Sequence, residues 1–290
     1  MRVPRIGRVG AALLAAVLLG GGPSGAHAHQ YWLSAGDYAP QPGEWVEIRA
    51  CSGVAFRGEA KPWAPDRAVE FSWIGARRTP LARSAMAGDV VWARAAFADS
   101  GGAWVTYESN FASIELPAAE FDAYLAEEGL DRPLAARRAL PGPATGRERY
   151  RRCCKAWLAG SDSRRAAKAA GQPLEIVPLS PPGSEPTLRA RLMWKGRPLA
   201  GALVKSWRQP WDAAGRTRVV IERDSVGVAE AVRSDARGEV TLETREPGEW
   251  LVSVEHMEPS SNRRIADWES TWASLTFARR EAGTAPRTGR

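Results

Sequence analysis

Histidine is scarce in this chain, with His27, His29 and His256 the only three among 290 residues. Imidazole nitrogen binds borderline transition metals, so isolated histidines matter only where something adds further donors. The stretch "SGAHAHQYWL", residues 24 to 33, offers such an addition. A chain beginning at His29 presents an α-amino nitrogen and an imidazole Nδ1 on one residue, which can close a chelate ring around an ion. A third nitrogen completes a T-shaped set. Such donors suit Ni2+ and Co2+, with Cu2+ as the alternative. His256, after "WLVSVE", is the other histidine that such a chain keeps. His29 and His256 are therefore the expected metal ligands. The plainer alternative is a chance residue at position 29 and a hydrogen-bonded histidine at a strand end. Asp37, Glu255, Asp267 and Glu269 could complete a shell, although nothing in the spacing brings them near either histidine.

The chelate needs a free amine, and the first residues suggest how it arises. Arg2, Arg5 and Arg8 precede an apolar run from Val9 to Leu19, and Ala26-His27-Ala28 puts small residues at positions −3 and −1. This is the pattern of a secretory signal peptide over residues 1–28. Cutting after Ala28 discards His27 and exports the rest to the periplasm or the medium. No later window approaches the roughly 20 apolar residues of a membrane span, so no transmembrane segment is expected after cleavage. Of the net charge of +7, the leader contributes three arginines and no acid, leaving +4. That excess forms no basic stripe interleaved with aromatics, so no nucleic-acid partner is expected.

Catalytic signatures are missing from the sequence. There is no GxSxG elbow, no HExxH and no glycine-rich phosphate loop. Two retained histidines also leave no evident Ser-His-Asp set, so binding is expected rather than catalysis, with a copper histidine-brace oxygenase as the enzymatic alternative. Glu127, Glu128 and Asp131 read as a solvated helix face. Cys51, Cys153 and Cys154 are disulfide candidates in an exported chain, Cys51 pairing with one of the adjacent two, and three buried reduced thiols are the alternative. Thirteen tryptophans raise the question of sugar or protein contact. Trp32, Trp45, Trp73, Trp92, Trp104, Trp207, Trp250 and Trp272 sit in strand-like runs and read as core. Trp63 and Trp211 lie beside proline in expected loops and are the candidate exposed aromatic contacts.

These residues need elements to position them. From Gln30 to about Pro117, short runs rich in β-branched and aromatic residues alternate with turn signals. "PAAEFDAYLAEEGL" and "TGRERYRRCCKAWLAG" read as helices, joined by a Pro/Gly/Arg-rich connection. After Pro181-Pro182-Gly183 the strand pattern returns, as in "PTLRARLMWKG" and "GEWLVSVEHM". The expected fold is mainly β, with two immunoglobulin-like sandwich domains at 29–178 and 184–280, the first with a helical segment near 117–160. Residues 281–290 read as a disordered tail.

"GRPLAGALV", "SDARGEVTLETREPGEWLVSVEHM" and "WESTWASLTFAR" in the second half, with "HQYWL", "ESNFASIELPAAEFDAYLAEEGLD" and "ERYRRCCKAWLAG" in the first, resemble the DUF4198 family. That family comprises secreted bacterial proteins described as periplasmic components related to nickel or cobalt transport. The resemblance implies a C-terminal unit similar to prealbumin-like and carboxypeptidase-regulatory-like sandwiches, a transition-metal ion as ligand and a membrane metal transporter as partner. Cys51 stands where the resemblance leads one to expect Gly and His, and Cys153-Cys154 where aromatic or aliphatic residues are expected. The competing expectation is a structural or adhesion-type envelope protein that displays loops to a protein or glycan partner.

Overall fold

The computed structural model describes residues 29–96, 101–142, 144–210 and 228–280. The chain opens with β1 (Gln30–Ala35), β2 (Trp45–Val54), β3 (Arg57–Lys61), β4 (Ala68–Ile74), β5 (Arg78–Pro80), β6 (Ala93–Ala96), β7 (Ala103–Ser109) and β8 (Ala112–Leu116). Two helices follow, α1 (Ala118–Glu127) and α2 (Asp131–Arg138), and then the long strand β9 (Gly146–Leu158). The rest is β10 (Leu174–Pro178), β11 (Thr187–Trp194), β12 (Arg197–Pro198), β13 (Leu203–Gln209), β14 (Glu230–Arg233), β15 (Glu239–Glu243), β16 (Gly248–Pro259) and β17 (Trp268–Arg279). The protein is mainly β, as the short alternating runs lead one to expect.

The helical segment differs from the expectation. It ends with α2, which forms inside the Pro/Gly/Arg-rich connection, with Pro133 in its first turn where the missing N–H costs no helical bond. "GRERYRRCCKAWL" is the strand β9 rather than a helix. Its last six residues are buried on both faces, and a run of that length, apolar but for Lys155, suits a strand or a helix equally. Tertiary pairing decides the matter: β9 lies between antiparallel β7 and parallel β17, and their ladders satisfy its backbone along most of its length.

Among the described residues the largest sheet has nine strands, in the order β14-β13-β16-β17-β9-β7-β4-β5, with β8 also on β9. The parallel β9–β17 pair joins a strand from before Pro181-Pro182-Gly183 to one from after it. The boundary at 178/184 therefore divides the chain but not the sheet. One face is covered by a sheet of β1, β2, β3 and β6, and the other by β10, β11, β12 and β15. Leu33, Ile48, Phe71, Trp92, Val105 and Cys154 fill the first interface. Trp157, Ile176, Leu192, Val252, Leu275 and Phe277 fill the second. The helices pack beside the first small sheet, burying Phe121, Tyr124 and Leu125 against Met257, Trp268 and Trp272.

Candidate binding cleft

Successive side chains of a strand point to opposite faces, and this decides where the expected ligands go. On β16, Glu255 accepts a hydrogen bond from Tyr124 of α1, whereas the ring of the next residue, His256, lies 4.7 Å from that of Trp194 on β11. The nine-stranded sheet thus separates Glu255 from His256. His29, exposed at the start of β1, lines a cleft on the Glu255 side together with Tyr124, Glu148 and Trp272. The structure does not bring His29 and His256 together. His256 is half-buried and neutral, since burial holds its pKa below the ordinary value. Its Nε2 is buried without a hydrogen bond, 3.5 Å from Glu258 Oε1, an oxygen that already accepts from Trp194 Nε1 at 2.9 Å.

The cleft has a volume of 1290 Å³ and opens between the hairpin of β2 and β3 and the face formed by β8, β9 and β17. The hairpin is unusually close-packed. Gly53 and Gly58 are paired across it, and a Cβ on Gly53 would fall 1.7 Å from the carbonyl oxygen of Arg57. Its turn places two non-glycine residues in the left-handed region, Ala55 at φ 52° and Phe56 at φ 60°. Such conformations persist only when the surroundings over-determine them. Here Gln30 Oε1 accepts from the Ala55 amide at 2.9 Å, Gln209 donates to the Phe56 carbonyl, and the Phe56 ring is buried among Trp32, Trp207 and Leu251. This pinned turn sets Arg57 at the edge of the cleft. Opposite it, Arg152 of β9 lies between two aromatic rings, its guanidinium carbon 4.9 Å from the centroid of Tyr150 and 4.7 Å from that of Trp272.

Below Arg152 lies a buried acid cluster. Tyr124 Oη reaches Glu255 and, at 3.3 Å, Glu148, while Ser270 donates to Glu148. A single phenolic proton cannot serve two ionised carboxylates in a dry environment, so the pair holds an extra proton. Burial raises the pKa of Glu255 well above the ordinary carboxylate range, and repulsion from Glu148 and Glu128 adds to this. Burial also pushes Glu148 up to about 7, against the opposing pull of Ser270, Arg152 and Tyr124. Of the two, Glu255 is held further from ionisation, and Glu148 is the one that titrates near neutrality.

The remaining candidates fall elsewhere. Cys51, Cys153 and Cys154 are free, buried thiols, which corrects the disulfide expectation. They lie in three separate core clusters, and Cys153 and Cys154 point to opposite faces of β9. Trp63 is also corrected: it is buried against Phe71 and Trp92, whereas Trp45, expected in the core, is 68% exposed. Trp211 lies outside the described residues. Asp37 pairs with Arg280, Asp267 with Arg147, and Glu269 with Arg149, so none of them faces either histidine as a free ligand. Glu128 is not solvated but buried, 3.0 Å from Lys205 Nζ. Among the described residues no three His, Cys, Asp or Glu cluster to hold a metal ion, and no helix is long and apolar enough to cross a membrane. Sequence reasoning missed Arg152, Glu148 and Tyr124. The period-two run Glu148, Tyr150, Arg152 was the available signal, had the segment been read as a strand.

No curated protein matches the chain. The D0-D1 domain of intimin aligns with 86% of this chain and 99% of its own at 10% identity, with a TM-score of 0.19, too low to support an argument. The sequence profile of a domain of unknown function, DUF4198, matches residues 26–258. The chain, with its cleft between the β2–β3 hairpin and the central sheet, belongs to the DUF4198 family.

Proposed function

We propose that this is an exported, periplasmic binding protein that handles a transition-metal cargo, nickel or cobalt with copper as the alternative, for a membrane transport or homeostasis system. The observation that supports this reading is the place of His29 in the lining of the cleft. Removal of a leader after Ala28 would free an amine there, beside the His29 ring, and the two nitrogens would chelate one ion. His256 takes no part, being on the far face of the sheet. The test is a titration of Ni2+ and Co2+ into the chain starting at His29 and into the same chain with one extra N-terminal residue. Loss of the amine from the chelate is expected to weaken binding by at least about tenfold, or 1.4 kcal/mol. Equal affinities would remove the amine from the mechanism.

A second reading, an envelope protein contacting a glycan or protein partner, is favoured by exposed Trp45 on β2. It requires Trp45→Ala to abolish that contact without weakening metal binding.

A further inference from the structure

A bare dication would meet charge of its own sign in this cleft. Arg57, Lys61, Arg67 and Arg152 line it, against two acids, Glu59 and Glu148. Glu59 is paired with Lys61 at 2.9 Å, and Arg67 has Asp66 within 3.9 Å. Among the described residues Arg57 and Arg152 make no ion pair, and each has a buried N–H group without an acceptor, Nε of Arg57 and Nη1 of Arg152. Those two N–H groups are closed off from solvent, and it is the other N–H groups of these cleft-lining guanidinia, held by no carboxylate, that suit a planar oxyanion; the rings of Tyr150 and Trp272 fix the Arg152 plane in advance. The walls add an organic character, since Tyr31 and Tyr107 stack with centroids 6.0 Å apart beside the apolar edge of Trp92. At 1290 Å³ the open cleft has room for a small organic molecule, far more than a bare ion needs.

We infer that the cleft binds an organic anion through a carboxylate seated on Arg152, with Arg57 facing it from the hairpin, so that a metal cargo enters as a carboxylate chelate. This rests on the reading of the cleft as the cargo seat and names the class of ligand. His29, at the same cleft, then completes the coordination of a metal that the chelator has already brought in.

The acid cluster makes such binding depend on pH. Glu148 is faced by Tyr124 from α1, Ser270 from β17, Glu255 from β16 and Arg152 from its own strand, with Glu128 further off. Below neutrality Glu148 is protonated and leaves Arg152 free for the ligand. Above neutrality its charge competes for Arg152 and repels the anion, so affinity falls as pH rises and binding takes up protons.

The test is calorimetric titration of the purified chain with citrate, with nickel citrate and with Ni2+ alone, at pH 6 and pH 8. Citrate is expected to bind at pH 6 and about tenfold more weakly at pH 8. Arg152→Gln is expected to weaken it by about 30-fold or more, and Glu148→Gln to remove the pH dependence. Arg57→Gln, at the edge of the cleft, provides the same test should Arg152→Gln fail to fold. Absence of citrate and nickel citrate binding, or affinities unchanged by both arginine variants, overturns the inference. Binding of Ni2+ alone in that case leaves the metal reading standing. Citrate binding that requires Arg152 but gains nothing from nickel supports the anion inference and removes the metal reading.

Discussion

Glu255 and His256 are adjacent on β16 and face opposite sides of the nine-stranded sheet, one toward Tyr124 of α1 and the other onto Trp194 of β11. The side that holds His29 is that of Glu255. Period-two alternation therefore separates two histidines that ligand chemistry alone would join. His256→Ala is expected to leave metal affinity unchanged and to cost about 1 kcal/mol of stability through the lost ring contact. Parallel metal titration and urea unfolding check both, and a tenfold loss of affinity would return His256 to the site.

Burial pushes Cys51 and Cys153 up to about 12 and Cys154 up to about 11. None is a thiolate at pH 8, and none is accessible. The native protein is expected to resist a thiol reagent such as Ellman's, and the denatured, unreduced protein to release three equivalents. One equivalent would mean a disulfide.

Glu148 makes stability depend on pH with a definite sign. Its folded pKa, about 7, exceeds its unfolded value of 4.5. The unfolded chain therefore loses this proton first as pH rises. The stability is fully present below pH 4.5, declines between 4.5 and 7, and is lost above. The loss amounts to about 3 kcal/mol at most, at 1.36 kcal/mol per unit. Glu148→Gln is expected to remove that decline, seen as the difference between the urea unfolding curves of the two proteins across this range. Superimposable pH profiles would place the titration elsewhere.

The turn at Ala55 and Phe56 separates backbone strain from side-chain packing. Ala55→Gly is expected to stabilise by about 1 kcal/mol, because glycine adopts positive φ without a Cβ clash. Phe56→Ala should instead destabilise by about 3–5 kcal/mol, as its ring is fully buried. Denaturation midpoints read both changes, and a destabilised Ala55→Gly would show that the turn is not strained there.

Lys155 and Glu175 form a buried pair at 2.7 Å, with the Ala170 and Gly171 amides also donating to Glu175. Burial acts to raise the Glu175 pKa, but Lys155 and these amides outweigh it and keep the carboxylate ionised. Glu175→Ala strands a buried ammonium and is expected to cost about 3–5 kcal/mol. A change below 1 kcal/mol would mean that Lys155 finds water or sheds its proton.

Much of this architecture was legible in the residues. The alternation in "PTLRARLMWKG" gives β11, the β-rich run "GEWLVSVEHM" after the Pro247-Gly248 turn gives β16, and "PAAEFDAYLAEEGL" gives α1. β9 was not legible, because "CCKAWL" is buried on both faces and, Lys155 apart, apolar, so that only its long-range partners β7 and β17 distinguish strand from helix. The cost was the site itself, since Glu148, Tyr150 and Arg152 line the cleft from that strand at a period of two, with Tyr150 between the acid and the arginine. Trp45 and Trp63 exchanged their expected places for a related reason. Trp45 starts β2 on its solvent side, whereas the loop holding Trp63 folds over Phe71 and Trp92. Exposure in both cases is set by what covers the segment, which local pattern does not encode.

The most direct measurement is the anomalous scattering of cobalt soaked into crystals of the chain that begins at His29. One peak is expected in the cleft, at bonding distance of about 2 Å from the terminal amine and the His29 ring, with none at His256. A peak on the Trp194 side of the sheet, or none within the cleft, would contradict the assignment of the cleft as the cargo seat.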